Sequence, residues 1–451
     1  MEVKRGSFTG GIGFVLAAAS SAIGLGNLWR FPYLAAQYGG GIFILVYIIL
    51  ALTFGFALLT AEIAIGRKTG KSPIMAYGII SKKFKFVGYI ASIIPVIILP
   101  YYCVIGGWVI KYITVYAKGA IAEAANDNYF TSFVGDIVSP LVFFFIFIFI
   151  TMLIVVCGVE KGIERVSKIL MPLLLIMMVG ISVYVLFIPG CFEGIKYYLV
   201  PDFSKFSFKT VCAAMGQMFY SMSIAMGIMI TYGSYTHKDV SLTKSVNQIE
   251  IFDTIVALLA GLMVIPIVFA FQGEAGLDAS GAGLMFVSLP KIFESMAGGR
   301  IIGMVFFLLV LFAALTSAVS VMEAIVSSLM DKFKISRTKA CIGTFSFSLL
   351  LGIPSSLGYG LWSNIKVLGL AFLDFFDYLS NSVLMPIVAL ATCILVGWVT
   401  GPKLVTDEVT RNGEKFGRKK LFNVMIKYIA PVLLLIILIF YSLAQFGVID
   451  F

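Results

Sequence analysis

Long apolar runs separated by short polar segments dominate the chain. A run of about 20 residues is enough for a helix to cross roughly 30 Å of hydrocarbon. The pattern therefore predicts an all-α integral membrane protein with eleven transmembrane helices. The predicted spans lie near residues 10–34, 40–65, 87–116, 138–157, 167–189, 209–235, 250–270, 300–328, 340–353, 367–398 and 425–446.

The first predicted span is interrupted near its middle. The stretch Ser20–Pro32 carries Gly24, Gly26, Asn27 and Arg30, although an arginine in a span costs at least about 2.5–3.5 kcal/mol on insertion scales. Glycines free the backbone from the helix, and freed backbone at membrane depth is tolerated only where it is buried in protein or lines a cavity. Its amides and carbonyls can hold an ion or a charged solute. The alternative interpretation is a glycine-rich loop between two short spans.

The sixth predicted span repeats this interruption. Ser221, Ser223 and Gly227 lie midway between Gly216 and Tyr235, where a lipid-facing helix would carry leucine and valine. Small residues alone more often indicate tight helix packing. The first and sixth spans, however, hold corresponding positions in two five-helix halves. Two interrupted spans at matching places indicate a transport site between inverted repeats.

Composition excludes a soluble protein. Of the 451 residues, 60% are hydrophobic and 12% are charged, against roughly 45–50% and 25% in soluble domains. The net charge of +10 reflects topology, since most lysines and arginines fall in loops on one side, so no nucleic-acid partner is expected. The positive-inside rule places the N-terminus in the cytoplasm and, with eleven spans, the C-terminus outside the cell's inner (plasma) membrane. Six scattered cysteines and one histidine give no metal-ligand spacing.

Few ionisable residues lie within the spans, so each is informative. Glu62 lies near the end of the second span, beside Arg67, and a purely structural role is an equal alternative. Asp253 lies inside the seventh span with no basic residue three or four positions away, so it should take up a proton or bind a cation. Thr316 and Ser317 of the eighth span either bond back to helical carbonyls or offer oxygens to a hard cation.

Taken together, these motifs closely resemble the neurotransmitter:sodium symporter family, whose bacterial members share the LeuT fold. The resemblance implies a 5+5 inverted repeat with broken helices 1 and 6, comprising residues 1–200 and 201–400, followed by a cytoplasmic loop and helix 11 in 401–451. It implies secondary-active Na⁺-driven symport of an amino acid by alternating access. The matching motifs are AIGLGNLWRFPYLAAQYGGGIF (22–43), AEIAIGR (61–67), YYCVIGGW (101–108), ITYGSYTHKD (230–239), GLMFVSLPKIFESMAGG (283–299), LTSAVSVM (315–322) and LDFFDYLSN (373–381).

The resemblance also implies two Na⁺ sites and an amino-acid site between the broken helices. The first Na⁺ would be held by Ala22, Asn27, Ser221 and Asp253 together with the substrate carboxylate. The second would be held by Ser20, Ile23, Ala313, Thr316 and Ser317. The substrate would bind to Ala22, Gly26, Ile98, Tyr102, Tyr220, Ser221, Ser223, Met226, Ser317 and Val321.

Met226 bears on substrate choice, since many relatives carry phenylalanine at its position. Methionine is flexible and makes sulfur–aromatic contacts, so it can yield space to a ring. A large hydrophobic or aromatic substrate such as tyrosine, tryptophan or leucine is therefore favoured. Departures at Ser20, Ser21 and Ala225, where relatives commonly carry Gly, Asn and Gly, bear on substrate size rather than on the ion sites.

The resemblance also implies an outer gate, an inner gate and a dependence on chloride that can be judged from one residue. Arg30 with Asp377 would close the outer side, and Arg5 with Asp331, near Tyr235, the inner side. Chloride-requiring members have asparagine at the position of Asp253. We therefore expect chloride-independent transport, with Asp253 supplying the negative charge and binding a proton on the empty return step. The Gly162–Pro172 spacing in the fifth span resembles a site of local unwinding, with an ordinary membrane-helix proline as the alternative.

Other classes of protein fit less well. An ion channel would show a filter motif repeated by symmetry or a ring of like charges; a Na⁺-independent permease is a further alternative. The chain offers no nucleophile motif or histidine dyad, so it is not expected to be an enzyme, and it has no Walker A sequence for an ATP-driven pump. The loop at residues 272–299 is apolar enough to form an external lid, and an ordinary solvated loop is the alternative.

Overall fold

A computed structural model describes residues 6–278 and 281–448. Within these residues, nine continuous helices are long and apolar enough to cross a membrane. They are α2 (Gly41–Thr69), α3 (Lys82–Lys118), α4 (Val138–Val156), α5 (Val159–Leu186), α7 (Leu242–Gln272), α8 (Gly299–Phe333), α9 (Arg337–Leu357), α10 (Phe372–Val399) and α11 (Lys419–Gln445).

Two further spans are broken, at the places that the sequence predicts. The first consists of α1a (Gly11–Ala22) and α1b (Gly26–Gln37), bent by 46° at the break. The sixth consists of α6a (Phe208–Ser221) and α6b (Ile228–Ser234). Counting each broken pair as one span gives the predicted eleven among the described residues.

Two helices are longer than their apolar runs. α7 begins at Leu242 rather than near 250, because Ser241 caps it by accepting a hydrogen bond from the Lys244 amide. α9 begins at Arg337, whose guanidinium donates to the Val155 carbonyl at the end of α4. Helix–helix contacts and caps outside the apolar core extend these helices, so hydropathy alone placed their boundaries too far inside.

The broken spans lie at the centre of the bundle. α1a packs against α5, α7 and α8, and α6b packs along α2. Glycines allow the second pair to approach closely, since a Cβ at Gly66 would overlap the Ile230 carbonyl and one at Gly233 would overlap the Ile63 carbonyl. Breaks in these two spans are therefore shielded from lipid by complete helices.

The segment between α7 and α8 packs onto the bundle as a lid. Its helix Leu289–Ser295 is preceded by a π-helical turn that buries Phe286. The Phe286 ring lies 5.8 Å from Trp108, 6.1 Å from Trp29 and 5.2 Å from Phe130. Of the two alternatives for residues 272–299, the structure supports the lid over the solvated loop.

The cysteines are unpaired, and five of the six are buried as packing residues. Cys157, at the junction of α4 and α5, is exposed instead.

Candidate functional site

Serine hydroxyls connect the two breaks to α8. Ser223 Oγ in the break of the sixth span donates to the Ser21 carbonyl at 3.1 Å. Ser317 Oγ of α8 donates to the same carbonyl at 3.0 Å and to the Ile23 carbonyl at 3.3 Å. The residues that the sequence places in three distant segments thus meet at one point in the middle of the bundle.

Glu62 supports the break in the sixth span. Ser223 and Ala225 adopt left-handed backbone conformations, with φ of 53° and 65°, which cost about 1–2 kcal/mol each for residues other than glycine. The buried Glu62 Oε1 accepts a hydrogen bond from the Ala225 amide at 2.7 Å. Arg67, the neighbour considered as its partner, forms an ion pair with Glu408 instead, at 2.8 Å.

Replacing Glu62 with alanine should destabilise the protein by about 1–3 kcal/mol, because the buried Ala225 amide would lose its acceptor. Thermal unfolding in detergent measures this loss. Glu62→Gln is the matched control, since its amide oxygen can still accept the hydrogen bond. Equal melting temperatures for Glu62→Ala and Glu62→Gln would contradict the proposed support of the break.

The first predicted ion site forms a buried cluster around Asp253. Asp253 Oδ1 accepts hydrogen bonds from Asn27 Nδ2 at 2.8 Å and from Ser221 Oγ at 2.6 Å. Its Oδ2 accepts from the Tyr47 hydroxyl at 3.0 Å. All four side chains are fully buried. Ala22, whose carbonyl the resemblance adds to this site, is the last residue of α1a.

The donor set of this cluster fits a hard cation. Asn27 Oδ1 is buried, and among the residues described it has no hydrogen-bond donor. A buried carboxylate without a basic partner carries uncompensated negative charge. An amide, a hydroxyl and a carboxylate oxygen are ligands that hard cations prefer. A monovalent cation would satisfy both the orphaned oxygen and the charge.

The second predicted ion site lies between α1a and α8. Ser317 Oγ contacts the Ile23 carbonyl, as described above, and Thr316 Oγ1 donates to the Ala313 carbonyl at 3.1 Å. Ser20 Oγ donates to the Ala17 carbonyl at 3.0 Å. Ser317 thus bridges the two helices, whereas the Thr316 hydroxyl bonds back to carbonyls of its own helix, which is the alternative considered for it.

A cavity of about 20 Å³ is lined by the two breaks together with α3 and α8. It is lined by every predicted substrate residue except Ser221, with Ser21 and Gly24 in addition: Ser21, Ala22, Gly24, Gly26, Ile98, Tyr102, Tyr220, Ser223, Met226, Ser317 and Val321. Ser221 contacts Asp253 instead.

Glycine is required at two positions of this cavity. A Cβ at Gly24 would lie 2.8 Å from the Tyr102 hydroxyl, and one at Gly26 would lie 2.6 Å from the Tyr220 ring. The Tyr102 hydroxyl accepts a hydrogen bond from the Leu25 amide at 3.1 Å. The first break thus places glycine backbone and a tyrosine hydroxyl side by side at the cavity wall.

A second cavity, of about 170 Å³, lies on the far side of Tyr220 and contains the predicted outer gate. Arg30 and Asp377 both line it. The Arg30 guanidinium lies 5.5 Å from the centre of the Tyr220 ring, while Asp377 Oδ1 accepts from the Tyr101 hydroxyl at 3.2 Å. Among the described residues these two gate side chains do not form a direct ion pair.

The predicted inner gate is described in part. Arg5 lies outside the described residues. Asp331 accepts hydrogen bonds from the amide and the hydroxyl of Ser72, at 2.8 and 2.6 Å. The Tyr235 hydroxyl donates to Glu323 Oε1 at 2.6 Å, and its carbonyl accepts from the Phe8 amide at 3.2 Å. The amino-terminal segment is therefore docked against the end of α6b.

The fifth span is helical through the Gly162–Pro172 spacing. Gly162 lies in a π-helical turn, Val159–Glu164, and Pro172 lies in regular α-helix. The segment is therefore helical rather than unwound in this conformation. π-helical turns are nevertheless frequent at functional sites in helices.

Sequence reasoning missed three buried residues near the site. The Tyr47 hydroxyl donates a hydrogen bond to Asp253, and Gln217 Nε2 donates to the Gly26 carbonyl at 2.7 Å. Glu323 accepts a hydrogen bond from the Tyr235 hydroxyl. Gln217 and Glu323 are polar residues within apolar runs, a signal that could have identified them. Tyr47 gave no such signal, because tyrosine is also common as a packing or interfacial residue.

Comparison with known proteins identifies the family of the chain. The Sodium:neurotransmitter symporter family model matches residues 5–132 and 130–450. An uncharacterized sodium-dependent transporter of Haemophilus influenzae is 33% identical, covering 97% of this chain and 98% of that protein. The uncharacterized sodium-dependent transporter YhdH of Bacillus subtilis is 34% identical, covering 97% of both chains.

A solved structure has the same fold. The crystal structure of MhsT in complex with L-phenylalanine matches with a TM-score of 0.89 and 35% identity, covering 97% of this chain and 99% of that chain. The broken first and sixth spans and the eleven-helix count are those expected of the LeuT fold. The chain belongs to the sodium:neurotransmitter symporter family, and it is a multi-pass, sodium-coupled secondary transporter rather than an enzyme.

Proposed function

We propose that the chain couples Na⁺ to the uptake of a large hydrophobic or aromatic L-amino acid, such as tyrosine, tryptophan or leucine, without requiring chloride. The observation that carries the proposal is the cavity between the two breaks. Its lining combines glycines of the first break and the Tyr102 hydroxyl with the apolar side chains of Ile98, Met226 and Val321. Such a cavity suits an amino acid that has a bulky apolar side chain beside its α-carboxylate. MhsT, which has the same fold, was crystallised with L-phenylalanine.

Two Na⁺ ions would accompany the substrate. The first would be held by Asn27, Ser221 and Asp253 with the Ala22 carbonyl, and the second by the carbonyls of Ser20, Ile23 and Ala313 with Thr316 and Ser317. The orphaned Asn27 oxygen supports the first site. Asp253 supplies the negative charge that chloride would otherwise provide, and it takes up a proton when the first site is empty on the return step.

The cavity must expand to accept this substrate. At about 20 Å³ it has room for roughly one water molecule, whereas pockets for small organic ligands measure about 300–1,000 Å³. The Tyr220 ring separates it from the outer cavity, and Met226 has three rotatable bonds. Movement of these two side chains would enlarge it.

Alternating access would open this site to one side at a time. The N-terminus faces the cytoplasm and the C-terminus the outside of the inner (plasma) membrane. Arg30 and Asp377 close the outer side when the 170 Å³ cavity between them shrinks. Arg5 and Asp331 close the inner side together with Tyr235, and that side opens when the amino-terminal segment leaves α6b. Residues 1–200 and 201–400 form the two repeats whose relative movement links the gates.

Uptake into proteoliposomes tests the proposed function directly. Radiolabelled tyrosine, tryptophan, leucine and glycine are compared with and without an inward Na⁺ gradient. Accumulation of the three large substrates, driven by Na⁺ and not by chloride, is expected. Accumulation that ignores Na⁺ would overturn the coupling, and preferred uptake of glycine would overturn the substrate class.

Replacing Met226 with phenylalanine should narrow the range of substrates. A rigid ring cannot yield space as methionine does, so tryptophan uptake should fall about tenfold or more relative to leucine uptake. Met226→Leu, which keeps the volume without a ring, is the matched control. An unchanged tryptophan-to-leucine ratio in Met226→Phe would show that this side chain does not limit substrate size.

A further inference from the structure

The connection that leads from α5 into α6a exposes three aromatic side chains. Phe203, Phe206 and Phe208 lie in the stretch 203–209, and each is between 52% and 71% exposed. The Phe208 ring lies 5.3 Å from the Phe440 ring in the last third of the transmembrane helix α11. Exposed apolar side chains next to lysines mark a segment that lies at the bilayer interface. The stretch therefore lies at the end of the spans, on the face that the proposed function places outside.

This stretch separates its polar from its aromatic side chains. The backbone of Phe206 and Ser207 is extended, with ψ of 128° and 163°, so successive side chains alternate between two sides. Lys205 and Ser207 line a cavity, whereas the alternate residues Phe206 and Phe208 are exposed. A polar side toward the cavity and an aromatic side away from it suit a segment placed between headgroups and hydrocarbon.

The cavity has a volume of about 370 Å³, within the range of about 300–1,000 Å³ for pockets that hold small organic ligands. Both outer half-helices contribute to it. Residues 36–39 come from the end of α1b and the loop after it, and Lys209 and Thr210 come from the first turn of α6a. Leu277, from the segment between α7 and α8, also lines it. A molecule bound here therefore contacts the ends of α1b and α6a together.

The side chains of this cavity favour an anion. The Lys209 ammonium forms no ion pair with any side chain that the structure describes. Lys205 Nζ lies 4.7 Å from the centre of the Tyr197 ring. Asp202 is engaged within its own loop, where its Oδ1 accepts from the Ser204 amide at 3.0 Å and from the Ser204 hydroxyl at 2.7 Å. Lysine ammonium groups beside hydroxyls are suited to a phosphate.

We propose that the cavity binds the headgroup of an anionic phospholipid from the outer leaflet. Its phosphate meets Lys205 and Lys209, and its acyl chains cover the rings of Phe203, Phe206 and Phe208. The exposed rings favour a lipid over a soluble anion, because a soluble anion would leave them in contact with water. The proposal goes beyond the proposed function and takes from it only which face lies outside.

Melting temperatures of the purified full chain in neutral detergent test the lipid site. Short-chain phosphatidylglycerol should raise the melting temperature of wild type in a saturable way. Phosphatidylcholine with the same chains and glycerol 3-phosphate should each stabilise it much less. Lys209→Gln should raise the half-saturating phosphatidylglycerol concentration about fivefold, and Lys209→Arg should restore it to within about twofold. Phe206→Ser should weaken binding by at least about fivefold, because the acyl chains lose an apolar surface.

Lys366→Gln is the matched control. Lys366 is an exposed lysine in the connection between α9 and α10, on the same face but outside the cavity, so its replacement should leave phosphatidylglycerol binding unchanged. The site is overturned if phosphatidylglycerol does not stabilise wild type, or if phosphatidylcholine stabilises it equally. Equal stabilisation by glycerol 3-phosphate would show a soluble-anion site instead. An equal loss in Lys366→Gln and Lys209→Gln would show general attraction between lysines and anionic lipid.

Failure of the lipid site is distinguishable from failure of the proposed function. The melting measurements require no transport, so a negative result leaves Na⁺-driven uptake untouched. Wild-type uptake that ignores Na⁺ would overturn the coupling, while saturable stabilisation by phosphatidylglycerol that is lost in Lys209→Gln would still support the lipid site.

Discussion

Asn27→Ala is expected to abolish Na⁺-driven uptake in protein that still folds. Alanine removes the buried Oδ1, the proposed ligand of the first Na⁺, and also the Nδ2 that donates to Asp253 at 2.8 Å. Losing a hydrogen bond to a charged group costs about 1.5–3 kcal/mol, and loss of the ligand adds to it. Na⁺ affinity should therefore fall at least about 10–100-fold. The Na⁺ dependence of substrate binding in detergent and uptake in proteoliposomes measure the change.

Asn423→Ala is the matched control. Asn423 belongs to α11, is half-buried, and like Asn27 has an Oδ1 without a donor among the described residues. Its replacement should leave Na⁺ dependence unchanged. If Asn27→Ala transported with wild-type Na⁺ dependence, the proposed first ion site would be wrong.

Asp253→Asn is expected to make transport depend on chloride or to slow it strongly. The substitution keeps the size of the side chain but removes the negative charge buried between Asn27, Ser221 and Tyr47. A cation in that site would then lack a counter-charge, which is costly in a buried environment. A chloride ion nearby could restore it. Uptake is compared in chloride and in gluconate at the same Na⁺ gradient.

Asp239→Asn controls for the loss of one negative charge, since Asp239 is exposed outside the ion sites. It should transport equally in both anions. Normal, chloride-independent uptake by Asp253→Asn would contradict the assigned role of Asp253.

The broken spans and the residues around them were predictable from the sequence. A glycine, asparagine or serine inside an apolar run is conspicuous because the membrane penalises it. Asn27, Ser221 and Asp253 could be identified in this way, and in the structure Asn27 and Ser221 both hydrogen-bond to Asp253. The resemblance to known motifs then suggested a role for each of these three residues, which the surrounding sequence alone did not indicate.

Pairings between distant segments were not predictable in the same way. Glu164 and Thr9 are 155 positions apart, and Arg67 and Glu408 are 341 apart. Each residue lies near the end of a helix, where a charged side chain ordinarily faces water and needs no partner. Only the folded arrangement shows that Glu164 is buried against α1a and that Glu62 supports the neighbouring break.

The exposed thiol at the junction of α4 and α5 offers a natural reporter of the working cycle. Cys157 lies two residues before the π-helical turn that carries Gly162 and Glu164, while the other five cysteines are buried. A maleimide fluorophore would therefore label this junction preferentially in the unmodified protein. Its emission, followed while Na⁺ and substrate are added, would record rearrangement at the start of α5 without any engineered cysteine.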